Sequence, residues 1–180
     1  MPVKIIAQIF GLCAMVALFS IYQQTDRRKL IRSKLFADAF WVVHYVMLGA
    51  YGGAIPNFVG ILREFIFINR EKKKWANLIV WPILFVAFNW LLGYFTFSSP
   101  INIMPIAAST LVTISLWNRN PNITKILSIP VSMTFMVYDF FVGSWVGIAN
   151  ESLAIVSIII YFIKAKKNKG RVDHEENNIQ

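Results

Sequence analysis

Within its long apolar stretches this chain holds few side chains that can do chemistry, and some of them recur at matched places. When residues 39–74 are laid over residues 132–167 without a gap, Tyr45 meets Tyr138, Ile55 meets Ile148 and Asn57 meets Asn150. At the end of the overlap Lys73 and Lys74 meet Lys166 and Lys167. Each copy reads as an apolar run with a tyrosine, a glycine-containing break, an asparagine, a second apolar run and lysines. Asn57, Gly60 and Glu64 fall at i, i+3 and i+7 and share one helix face; Asn150, Ala154 and Ser157, at i, i+4 and i+7, share one as well. Two such stripes facing a common cavity would let the amides hydrogen-bond a polar solute. The plainer alternative is that both asparagines cap helices or bond between helices, as polar residues commonly do in membranes.

Other candidates cluster around this pair. Arg63 and Glu64 lie half-way along the same apolar run as Asn57. A charge at the centre of a bilayer costs about 2.5–3.5 kcal/mol on insertion scales, so such residues face a partner or a wet cavity. As neighbours they point about 100° apart and miss the ideal i, i+4 pairing; alternatively Arg63 snorkels to the headgroups. His44, beside Trp41 and Tyr45, suits a proton relay because it titrates nearest neutral pH, or it is a neutral, hydrogen-bonded core residue. Asp139 follows Tyr138 and has no acidic counterpart in the first half; it either pairs with His44 or Arg63 or approaches the outer surface. Asp38 reads as a structural residue in the first turn of the second helix, four residues from Lys34, and Glu151 as solvated.

What is missing also narrows the function. No Gly-rich phosphate loop, metal-spaced Cys/His set or Ser–His–Asp arrangement occurs, so neither an enzyme, a cofactor nor a bound metal is expected. Cys13 is the single cysteine and forms no internal disulfide.

The elements that must carry these residues are read from composition and charge. Hydrophobic residues make up 57% of the 180 and mean hydropathy is +0.56, above the roughly 45–50% apolar content of soluble domains. Seven apolar segments can be drawn, near 4–22, 35–51, 53–69, 76–96, 100–117, 126–143 and 145–163, with turns at Ala50 to Gly53 and at Gly143–Ser144. The first resembles a signal peptide without a clear cleavage site and is read as an uncleaved helix. Of the 18 Lys and Arg, all but Lys4 and Arg63 lie in four blocks: between segments one and two, after three, between five and six, and after seven. With seven helices those blocks share one face. The positive-inside rule then places the amino terminus outside and the carboxyl terminus in the cytoplasm. The net charge of +9 therefore reads as membrane loops and not as a nucleic-acid surface.

The expected fold is all-α: seven transmembrane helices as two parallel three-helix repeats joined by a linker helix. The first repeat is 1–69, the linker with the fourth helix 70–99, the second repeat 100–167, and 168–180 a disordered cytoplasmic tail. Internal repeats with matched breaks mark transporter folds. The expected function is an inner-membrane carrier moving a small polar solute by alternating access, with Asn57, Asn150, Glu64, Arg63, His44, Tyr45, Trp41, Tyr138 and Asp139 as solute-binding candidates. The rival reading is a non-transporting accessory or scaffold protein whose intramembrane polar residues bind a partner. The lipid bilayer is the expected surrounding, and a homodimer stays open.

The run Thr25, Asp26, Arg27, Arg28, Lys29, Leu30, followed by Lys34, Leu35, Asp38, Trp41, His44, Tyr45, Leu48, Gly49, Ala50, Gly53, Ala54, Asn57 and Arg63, resembles the YgjV family of bacterial inner-membrane proteins. That resemblance implies a bacterial plasma-membrane location and no particular activity. More distantly, the three-one-three plan and the Asn pair look like the SWEET sugar facilitators and the PnuC-type vitamin transporters. In SWEETs an Asn on the third helix and one on the seventh face the substrate, the placement of Asn57 and Asn150. The Pro-Gln pair of that group is absent here, and Pro105 is matched by Leu12 in the first half.

Overall fold

The computed structural model describes residues 2–19, 24 and 26–177, with side chains within 3–18, 24 and 26–166. The end of the first predicted segment (20–22) and residues 178–180 of the predicted tail lie outside the described residues. Seven α-helices follow one another: α1 Pro2–Phe19, α2 Arg27–Met47, α3 Tyr51–Phe67, α4 Val80–Phe95, α5 Ile103–Trp117, α6 Pro121–Val142 and α7 Trp145–Asn177. Single 3-10 turns occur at Lys74–Asn77 and Pro100–Asn102.

Local signals set the ends of the helices. Asp26 is extended (φ −85°, ψ 119°), and its carboxylate accepts from the Arg28 and Lys29 amides at 2.7 and 3.0 Å, an N-cap. The Lys29 amide is the main influence holding that carboxyl below its ordinary pKa. The cap moves the start of α2 to Arg27, well before the apolar segment expected from 35, so Asp38 lies in mid-helix and not in a first turn. In the same way Asn120 caps α6 by accepting from the Asn122 amide, with Pro121 at the first helical position. Lys125, read as part of a loop, is therefore helical. The chain reverses at Gly49 (φ 70°) and Gly143 (φ 71°), left-handed positions that glycine takes without strain. Gly52 and Gly53, expected in the first of these turns, are already in α3. At the other end α7 continues through residues 168–177, read from sequence as disordered.

The helices pack in a ring: α1 on α2, α2 on α3, α3 on α5, α5 on α6, α6 on α7, and α7 back on α1. Helix α4 lies against α3 and α5. Chain reversals place the start of α2 and the ends of α3 and α5 together, where Arg27 donates to the Phe67 and Leu116 carbonyls at 3.3 and 2.8 Å. Arg70 there donates to the Trp117 carbonyl and lies over the Trp117 ring; burial lowers its pKa from the usual guanidinium value. This end, which carries the basic blocks, is called the basic end below. Leu30, Ile31, Val59, Phe67, Phe85 and Leu116 form the core near it. Trp41, Tyr45, Ala54 and Tyr138 form the core towards the opposite end.

Outside the ring the surface is apolar. Ile9, Phe58, Phe65, Ile83, Leu91, Phe140 and Ile163 are all exposed, far more than a water-facing surface carries. Three helical stretches are long and apolar enough to cross a membrane: Pro100–Trp117, Pro121–Val142 and Trp145–Lys166. Val3–Leu18 and Val80–Phe95 are apolar but shorter. Of the seven spans expected, α2 and α3 depart furthest, because they carry the charged residues that the ring encloses.

Candidate functional site

Two layers of polar contacts lie inside the ring. Nearer the basic end, α2, α3 and α5 meet in an ion network. Lys34 Nζ is 2.7 Å from Asp38 Oδ1 and 3.7 Å from Glu64 Oε1. Arg63 Nη2 is 3.0 Å from Glu64 Oε1 and 4.0 Å from Asp38 Oδ2. Arg63 Nη1 also donates to Thr113 Oγ1 at 2.8 Å and to the Ser109 carbonyl at 3.4 Å. Two cations and two anions thus balance in a place where isolated charge is costly. Asp38 reaches the network because Gly60 leaves space; a Cβ at Gly60 would collide with Asp38 Oδ2.

Three sequence expectations change here. Arg63 and Glu64 do pair, because the long arginine side chain folds back to its neighbour's carboxylate despite the angle between their Cβ vectors. Arg63 does not snorkel, being 1% exposed. Asp38 is not a helix-dipole residue but an anchor of the network, with its predicted Lys34 contact intact.

The second layer lies towards the opposite end. Tyr45 donates to Asp139 Oδ1 at 2.7 Å, joining α2 to α6. Tyr138 accepts from the Gly53 amide at 2.8 Å and donates to the Ala50 carbonyl at 3.3 Å, joining α6 to α3. The matched tyrosines meet edge to face, with ring centroids 6.0 Å apart. A Cβ on Gly53 would press on both rings. Trp41 stacks on Tyr45 at 5.6 Å. His44 Nδ1 lies 2.7 Å from the Ala7 carbonyl and Nε2 lies 2.8 Å from Ser144 Oγ. A carbonyl only accepts, so Nδ1 carries a proton, and in the neutral ring Nε2 accepts from Ser144. Among the described residues Asp139 bonds to Tyr45, not to His44 or Arg63, and it is fully buried, one turn before the end of α6.

Between the layers is a cavity of about 90 Å³, room for several waters or a small solute by the probe-sphere criterion. Its walls run from Leu30, Leu116 and Thr124 near the basic end to Tyr45, Asn57 and Asn150. Five candidates line it: Trp41, Tyr45, Asn57, Arg63 and Asn150. Glu64 stands in the ion network with Arg63, whereas His44, Tyr138 and Asp139 belong to the second layer. Asn57 donates to the Gly53 carbonyl at 2.7 Å and Asn150 to Glu151 Oε1 at 2.9 Å. Glu151, read as solvated, is half-buried and on the cavity wall. Sequence reasoning also missed Lys125, Ser109 and Ser132 on the wall. The Asn120–Pro121 pair was the available signal for Lys125, since it marks a helix start ahead of that lysine. Among the described residues no group of His, Cys, Asp and Glu is placed to hold a metal.

An apolar exterior around a buried ion network and an internal cavity is the arrangement of a helical membrane protein. The chain belongs to the Imp-YgjV family, described as bacterial inner membrane protein, which matches residues 5–169. No curated protein and no solved structure matches it.

Proposed function

We propose that this inner-membrane protein is a carrier for a small polar solute, working by alternating access between two pseudo-symmetric halves. The observation that carries the reading is the cavity lined by both Asn57 and Asn150, the asparagines matched in the internal repeat. The helix contacts support it: exchanging α1, α2 and α3 for α5, α6 and α7 maps each ring contact onto another. With α4 as the linker this is a three-one-three plan, with halves at 1–69 and 100–167. The polar layer from Tyr45, Tyr138 and His44 closes the far side of the cavity, so we read this conformation as the one facing the basic, cytoplasmic side. By the positive-inside rule we read the amino terminus as lying outside.

The test is a thermal-shift screen of purified protein against small metabolites, with the Asn57→Ala/Asn150→Ala double variant alongside. A ligand at 100 times its Kd adds about 2.7 kcal/mol of apparent stability. The carrier reading expects a hit that the double variant loses, followed by flux of that compound in proteoliposomes. Ligand binding without flux, or a stably co-purifying partner and indifference to both substitutions, contradicts it.

A further inference from the structure

The cavity walls differ in how well their charges are satisfied. Of the residues lining it, two have a buried polar atom without a hydrogen-bond partner among the described residues: Arg63 at Nε and Lys125 at Nζ. Both are cationic donors. Arg63 is otherwise engaged, with Glu64, Asp38 and Thr113 around its terminal nitrogens. Lys34, the third cation on the wall, is committed to Asp38 and Glu64. Among the described residues Lys125 has no such partner. It is 1% exposed, and its ammonium lies 3.2 Å from the centroid of the Tyr161 ring.

The face of an aromatic ring attracts a cation but supplies no lone pair for its three N–H bonds. A buried ammonium left in that state is costly, and an anion beside it removes the cost. The remaining carboxylate on the wall, Glu151, is bonded to Asn150 and stands ten residues, about 15 Å of helix, before Tyr161 along α7. Among the described residues it forms no ion pair with Lys125.

We propose that the cavity holds a small anion whose carboxylate or phosphate oxygens accept from Lys125 Nζ once the lysine turns from the Tyr161 ring into the cavity, with Arg63, whose Nε has no hydrogen-bond partner among the described residues, as a second cation on the wall. This names a substrate class for the carrier and rests on reading the cavity as its solute site. A phosphate oxygen can belong to a soluble metabolite or to a lipid headgroup entering beside the first turns of α6, and the two are separated by experiment.

Parent protein and the Lys125→Arg, Lys125→Gln and Lys125→Met variants, purified in uncharged detergent, are titrated with sodium acetate, succinate and glycerol phosphate. Sodium chloride is the ionic-strength control. A parallel series adds phosphatidylglycerol or phosphatidylcholine. Lys125→Met keeps an apolar stem against Tyr161, so it guards against loss of folding in the glutamine variant. At least one soluble anion should raise the melting temperature of the parent and of Lys125→Arg beyond chloride. Its affinity should fall tenfold or more in the neutral variants, the usual scale for a hydrogen bond to a charged group. Stabilisation by phosphatidylglycerol alone, lost with Lys125, assigns the site to a headgroup and overturns its role in solute selection. No anion effect in the parent, or equal binding by the neutral variants, overturns the anion site itself. A neutral solute bound through Asn57 and Asn150 would then leave the carrier reading standing. Anion binding without flux does the reverse.

Discussion

Arg63 holds more of the interior together than any neighbour, since its two terminal nitrogens reach α2, α3 and α5. Arg63→Met leaves Asp38 and Glu64 with Lys34 as their only cation among the described residues. Removing one partner of a buried ion pair costs about 3–5 kcal/mol, so thermal unfolding in detergent should show a loss of that order; a change below about 1 kcal/mol would contradict the network. Tyr45→Phe removes one hydrogen bond from buried Asp139 and should cost about 1–3 kcal/mol, with a matching rise in access to the cavity from the far side. An unchanged melting temperature would mean that this bond does not close the layer.

At the scale of elements, the glycines decide how closely the helices approach. Gly60→Ala pushes α3 off Asp38 on α2, and strained packing of that kind costs about 1–3 kcal/mol. Gly143→Ala forces a side chain into left-handed backbone with open space around it, which costs about 1–2 kcal/mol. The two can be told apart by a second substitution: adding Asp38→Asn to Gly60→Ala should couple non-additively, and adding it to Gly143→Ala should not. Additivity in both would mean that Gly60 is not shaped by Asp38. Much at this scale was legible in the sequence. Charge spacing gave seven helices with their basic ends together, and the repeat picked out Tyr45, Tyr138, Asn57 and Asn150, all inside the ring. Helix starts were read late at 27 and 121 because hydropathy is blind to caps, and Asp26 and Asn120 extend helices into polar sequence. Lys125 was lost for that reason. The pairing of Asp139 with Tyr45 was out of reach because no local pattern encodes which residue faces it from another helix.

For the whole molecule, the central claim is that the cavity between α2, α3, α5, α6 and α7 exchanges its access between the two faces of the membrane. Ser132 sits mid-way along α6, is buried and lines that cavity. The most direct measurement places Ser132→Cys in a Cys13→Ser background and reacts it with a membrane-impermeant maleimide from either face of oriented vesicles. The account predicts labelling from both faces, faster from the basic side, with Tyr45→Phe raising the rate from the far side. Labelling from the basic side alone, in both backgrounds, would show a closed-ended cavity and contradict alternating access.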